Sequence, residues 1–222
     1  MKRAFLLIGL VVFVFSGCAT VEEKPSEAPK PSVQKQQKEA MNLFQKILEV
    51  SEQKGPTPEA LEEKIALLRQ MPERYPDAPL SQEAYWHIIN IYLNQFYPPK
   101  VEEAEKTYRE FLKKYPRSPL KNAIESTFNL FYFQHKMWDK LERMHRARVK
   151  KFIETGRIDS PFYFYMYSLA KMNLGELEEA EKGFKWIILK YPTTQAAKDA
   201  KRQLKNIEKL RKKTGGTNGR SQ

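Results

Sequence analysis

The sequence of 222 residues contains a single cysteine, Cys18. Without a second thiol, an intramolecular disulfide and a cysteine-based zinc knuckle are both excluded, so stability has to come from packing. Histidine is almost as scarce. His87, His135 and His145 are scattered and form no His-x-x-x-His pair or other ligand set, so no metal is expected. Also missing are a Gly-x-x-x-x-Gly-Lys-Ser/Thr loop, a Gly-x-Gly-x-x-Gly turn and a Gly-x-Ser-x-Gly elbow, so phosphate cradling and serine-hydrolase chemistry have no scaffold. No cofactor and no catalytic activity are expected. Carboxylates are outnumbered: 27 acidic against 39 basic side chains leave a formal charge of +12. Such a balance suits an anionic surface, an acidic protein or nucleic acid, and charge alone does not choose among them.

Long apolar runs are absent except for one, Ala4 to Phe15, which follows Lys2 and Arg3. At 12 residues it is shorter than the ~20 a membrane-spanning helix needs, and it fits the apolar region of an export signal. The run ends in Phe15-Ser16-Gly17-Cys18, which resembles a bacterial lipobox, with Phe15 where leucine is usual. The resemblance implies that residues 1–17 are removed and that Cys18 becomes a lipidated N-terminus, held to the membrane by acyl chains. An ordinary free or buried cysteine, or an uncleaved anchor, is the alternative. No aspartate follows Cys18, which on the same resemblance implies the periplasmic face of the outer membrane. Residues 18–33 carry Pro, Glu, Lys and Ser with almost nothing apolar and read as a flexible tether. An exported chain does not meet nucleic acid, so no nucleic-acid partner is expected.

From residue 34 to 213 the helical period dominates, and no stretch sustains the alternation of a half-buried strand. Prolines and glycines divide this body into nine helices, at about 34–53, 58–74, 79–96, 99–115, 118–134, 137–155, 160–174, 176–190 and 194–212. Residues 214–222, glycine-rich, are expected to be a disordered tail. The punctuation repeats. "ERYPDAPL" at 73–80 returns as "KKYPRSPL" at 113–120 and as "LKYPTTQA" at 189–196, while "GRIDSPF" at 156–162 is a degenerate copy. That spacing indicates helix hairpins stacked as a solenoid, with proline stopping each second helix and a polar residue beyond it capping the next.

Residues 161–194 resemble a tetratricopeptide repeat. Gly175, Ala180, Phe184 and Pro192 take its glycine, alanine, aromatic and proline positions, with Phe164, Tyr167 and Ser168 at the packing positions of its first helix. Lys171 stands where an aromatic is usual and Ile187 where alanine is. A second copy at 82–116 has Tyr85, Ile88, Ile89, Tyr92, Ala104, Tyr108 and Pro116, with a longer turn at "QFYPPK". Between them, 118–155 is weak, because Leu141 and His145 replace the alanine and the aromatic. The expected fold is therefore all-α, a right-handed superhelical solenoid of tetratricopeptide-like hairpins closed by a C-terminal capping helix.

Signal, tether and "YP.SP" linkers together resemble the BamD-like outer-membrane lipoproteins. The resemblance implies a protein-protein interaction scaffold serving a β-barrel assembly complex, anchored through Cys18. A pilotin-like lipoprotein for a secretin or pilus component, or a peptidoglycan-associated helical protein, would share the same features. At helical spacing Phe162, Tyr165, Leu169 and Met172 form the stripe of 161–174 that faces away from the partner helix, where such repeats bind peptides. Trp86, Asn90 and Leu93 form the corresponding stripe of the earlier copy. Either these stripes are an open peptide groove or a neighbouring hairpin covers them as core. Two basic helices, 137–155 and 194–212, are either solvated faces or contacts for an acidic protein or anionic lipid.

Overall fold

The structure, a computed structural model, describes residues 31–156 and 160–217. The expected export signal, Cys18 and most of the expected tether lie outside the described residues. Among those described, every regular element is a helix: α1 (Val33–Lys54), α2 (Pro58–Arg74), α3 (Pro79–Asn94), α4 (Val101–Lys114), α5 (Lys121–Gln134), α6 (Trp138–Thr155), α7 (Pro161–Asn173), α8 (Leu177–Lys190) and α9 (Gln195–Thr217). All nine fall where periodicity and punctuation put them. Their ends differ by a few residues: α5 begins later because Ser118 makes a turn, its Oγ and C=O accepting from Leu120 and Lys121. The backbone of α9 continues to Thr217, into the stretch expected to be a tail.

Three Tyr-Pro steps have one geometry. Tyr75, Tyr115 and Tyr191 end α2, α4 and α8 with φ/ψ of −130/57, −128/62 and −134/53°. The following proline disfavours the α region for the residue before it, and each tyrosine leaves the helix while its N–H still donates to the carbonyl four residues back. Its own carbonyl then accepts from the residue three further on, Ala78, Ser118 or Thr194, at 3.1 Å each time. A repeated dipeptide thus becomes a repeated angle between hairpins. Capping is more varied than expected. Thr194 caps α9 through Ala197 N–H, whereas α3 begins at Ala78 with no side-chain cap, and α1 supplies Gln36 and Gln37 to accept from Asp77 and Leu80 N–H.

The helices form two layers. Odd-numbered helices meet one another directly, α1 on α3, α3 on α5 and α7 on α9, while the even-numbered helices pack beside their neighbours in sequence, α4 on α5 through long side chains such as Tyr108 and Phe128. Direct contact within the odd layer makes it the inner, tighter side of the superhelix, with the even layer outside. The odd series is interrupted between α5 and α7. A large apolar cluster fills α1 to α6, around Phe111, Phe128, Ile88 and Leu141, and reaches Met166 and Ala170 of α7, and a second fills α6 to α9, around Phe184, Ile187 and Ala200.

The weak third copy keeps the repeat register. Lys136 takes the left-handed turn (φ 55°) that Gly175 takes in the next hairpin (φ 85°), and 175 − 136 = 39 residues separate them. Met137 N–H donates to Tyr132 C=O as Glu176 N–H donates to Lys171 C=O. The same offset sets Leu141, His145, Glu125 and Arg148 where the next hairpin has Ala180, Phe184, Phe164 and Ile187. Polar groups therefore enter the core here, and each finds a partner. Glu125 accepts from Tyr108 Oη at 2.8 Å and Arg148 at 2.8 Å; Tyr132 Oη and Lys140 donate to Glu105 at 2.7 and 2.6 Å. Burial, and then the facing carboxylates, push both tyrosines far up. His145 is buried with Nε2 2.5 Å from Asn129 Oδ1, its ring against Tyr163 and its Nδ1 without a partner among the described residues.

Lys171, in the place of an aromatic, is explained by the same departure. It is 9 % exposed and joins three helices, 2.6 Å from Glu176, 3.3 Å from Glu179 and 3.7 Å from buried Glu142. Burial alone would lower its pKa; the hydrogen bonds from Glu176 and Glu179 outweigh it and hold the ammonium charged. At Gly183, α8 comes close to α7. A Cβ there would overlap Ser168 Oγ, which is held by its bond to Phe164 C=O, and would sit 3.1 Å from Ser168 Cβ.

Two outcomes are expected. Burial, with Arg148 nearby, lowers the His145 pKa from 6.5 to about 4. The unfolded chain therefore binds the extra proton first, and stability present above pH 6.5 is lost as pH falls from 6.5 towards 4, by roughly 3 kcal/mol. Urea titrations at intervals across that range should show the decline, and His145→Phe should flatten it. Gly183→Ala should cost about 1–3 kcal/mol by overpacking, and adding Ser168→Ala should return part of the loss in the same assay.

Candidate functional site

Where the inner layer is interrupted, α5 and α7 leave a groove of about 330 Å³ lined by Ser126, Asn129, Leu130, Phe133, Phe162, Tyr165, Met166 and Leu169. Its lip is unusually apolar for an open surface: Leu130 is 58 %, Phe133 44 % and Phe162 45 % exposed. Its floor is fixed. Met166 and Leu169 are buried, and Tyr165 packs on Phe184 at 5.8 Å with its hydroxyl accepting from Gln203 of α9 at 3.4 Å. Burial raises the Tyr165 pKa, so the phenol stays neutral.

Of the stripe expected on 161–174, Phe162, Tyr165 and Leu169 line this groove, and Met172 is half-buried beside the second core cluster. Only Phe162 of the four is freely open. The corresponding stripe on α3 does not form a groove. Leu93 was expected on the open face, but it is 1 % exposed and belongs to the first core cluster, because α3 is enclosed by α1, α2, α4 and α5. Trp86 Nε1 donates to Thr127 of α5 at 3.0 Å and so ties α3 to α5, while Asn90 Nδ2 donates within α3, to Trp86 C=O at 3.0 Å.

The residues missed from sequence are those of α5. Ser126, Leu130 and Phe133 repeat the spacing of Tyr165, Leu169 and Met172 at the 39-residue offset set by Lys136 and Gly175. The signal was present but masked, because the landmarks of the third copy, a lysine for the glycine and a histidine for the aromatic, hide its register.

The arrangement offers apolar contact rather than acid–base work. No group of His, Cys, Asp and Glu among the described residues could hold a metal ion, and no described helix is long and apolar enough to cross a membrane. His87 packs against Phe44 at 5.5 Å and His135 stacks on Phe131 at 4.2 Å. Glu142 is buried, and burial would raise its pKa, but Arg146 at 2.5 Å and Lys171 hold it below the usual carboxylate range, the reverse of a general acid. Glu102 and Glu103, and Glu178 and Glu179, occupy the first turns of α4 and α8 and favour the helix dipoles.

Residues 83–118 match the tetratricopeptide repeat family model, spanning α3, α4 and the Tyr-Pro step after them. Comparison with curated proteins returns no match. The matched segment coincides with the second copy read from the sequence. A repeat of this kind, within a solenoid of stacked hairpins, indicates a protein-protein interaction scaffold.

The groove yields a separation of roles. Tyr165→Ala should lower the melting temperature, since the ring packs on Phe184 and is joined to Gln203, with a cost of about 2–4 kcal/mol. Phe162→Ser should change it by no more than about 0.5 kcal/mol. Thermal unfolding followed by circular dichroism would measure both.

Proposed function

We propose that the chain is a lipid-anchored, non-catalytic scaffold of the bacterial cell envelope that grips an apolar segment of a partner protein between α5 and α7. The observation carrying the reading is the exposed trio Leu130, Phe133 and Phe162 around a preformed cavity in a repeat solenoid. Burying three such side chains would supply several kcal/mol of association energy, each about 1.5–3 kcal/mol when fully covered. The anchor rests on the lipobox-like Phe15-Ser16-Gly17-Cys18, and the Pro- and Glu-rich stretch from Ala19 gives the solenoid reach from the bilayer. In this reading the role is BamD-like, holding components of outer-membrane protein assembly at the periplasmic face. A pilotin-like role differs only in the partner held.

Both parts can be tested in one strain. Mass spectrometry of the mature chain should show it starting at Cys18 with added lipid, and Cys18→Ser should leave the domain folded but released from the membrane fraction. Affinity purification from detergent-solubilised envelopes should recover named β-barrel assembly components, and Leu130→Glu with Phe162→Glu should lose them. Recovery of a secretin instead would move the role to the pilotin-like alternative; recovery of neither would refute the scaffold reading at this groove.

A further inference from the structure

A second groove lies in the outer layer, between α6 and α8. It encloses about 720 Å³, and its floor is aromatic: Trp186 stands edge-on to Phe152 at 4.2 Å and to Phe164 at 5.1 Å. Ile153 on its α6 lip is 70 % exposed. Farther back in the solenoid the same layer is closed, because Arg69 of α2 reaches Glu110 of α4 at 2.9 Å and Lys100 pairs with Glu62. Between α6 and α8 the direct contact is aromatic, Phe152 against Trp186, and the ion pairs run through Lys171 of α7 to Glu142 and Glu179. Lys182 and Lys190 stand exposed at its rim with no carboxylate partner among the described residues, while the one acidic residue there, Glu179, is taken by Lys171.

The combination has a direction. An aromatic floor with an exposed isoleucine gains by being covered, and uncompensated lysines around it select the sign of what covers it. A second copy of this chain fits poorly, since each carries +12. A flat bilayer cannot fill a recess between two helices, whereas an amphipathic helix can lay its apolar stripe there with its flanks at the rim. We infer that the α6–α8 groove is a docking site for an acidic amphipathic helix of a partner protein. It is separate from the α5–α7 groove, draws on different side chains and faces outward rather than inward, so two partners can be held at once.

Three labelled peptides of about 16 residues serve as probes against the full chain in fluorescence anisotropy. One has Leu and Phe at helical spacing with Glu elsewhere, the second exchanges Glu for Lys, and the third keeps Glu but replaces the apolar stripe by Ala. The first alone should bind, more weakly as salt rises from roughly 0.05 to 0.3 M. Lys182→Glu with Lys190→Glu, and separately Ile153→Asp, should each weaken it at least about tenfold. All three positions are exposed, and melting curves would verify that the variants fold. Phe162→Ser should leave this binding unchanged, which keeps the result distinct from the fate of the α5–α7 reading. Equal binding of the lysine peptide or the alanine peptide, or indifference to the rim and lip variants, would overturn the inference. So would loss of binding to phosphatidylglycerol-containing vesicles in Lys182→Glu with Lys190→Glu when no peptide binds the unaltered chain.

Discussion

The Tyr-Pro step is the constraint on which the rest of this structure depends. Proline removes one donor and disfavours the helical conformation in the residue before it; α2 accommodates Pro72 in its last turn, but at Tyr75, Tyr115 and Tyr191 the helix stops at the tyrosine. The tyrosine carbonyl, freed from the helix, closes a turn that launches the next helix in the same direction at each occurrence. The side chains reinforce what the backbone starts. Tyr115 Oη donates to Pro76 C=O at 2.9 Å, so one linker rests on the linker before it, and Tyr85, Phe111 and Tyr115 pack ring to ring between them. Three of the four steps from one hairpin to the next share this geometry, at Tyr75, Tyr115 and Tyr191, and the solenoid is built on them; the step after α6 starts instead from the left-handed Gly156.

The third hairpin obeys that geometry while changing the chemistry inside it. Glu125, His145 and Arg148 occupy positions that are aromatic or aliphatic in the fourth hairpin, and buried polar groups demand partners at set distances rather than mere filling. The result is a seam of tyrosine–carboxylate pairs between α4 and α5, with Lys140 and Arg148 of α6 supplying the balancing charge. Such a seam specifies register more sharply than an apolar core does, and its pairs are lost together if the hairpin shifts. It also coincides with the point where the inner layer opens. Next to it, α5 and α7 do not close on each other, and Leu130, Phe133 and Phe162 are left in solvent.

The two grooves divide the apolar surface between opposite layers, and they differ in electrostatics. The inner one is neutral at its lining, offering shape and hydrophobic contact; the outer one sets aromatic rings among unpaired lysines. The overall charge of +12 is therefore not a uniform coat. Part of it is consumed in structural pairs, at Arg69, Lys140, Arg148 and Lys171 among others, while Lys182 and Lys190 have no carboxylate partner among the described residues.

By itself the sequence determined the helices, their order and their stacking. These are local matters: a 3.6-residue period, a proline that favours a helix end and a glycine that can turn left act within a few residues. Tertiary structure alone decided which faces stay open. Leu93 and Leu130 are both leucines on inner-layer helices, yet one is enclosed by four helices and the other looks across a gap, because exposure depends on how far apart α3, α5 and α7 come to rest. The same holds for Lys171, an oddity in the repeat until three carboxylates from α6 and α8 surround it, and for Gly183, whose need for hydrogen is created by Ser168 on another helix. Chain-local rules place residues on a helix; only the summed volumes of side chains from distant helices set the distances between those helices.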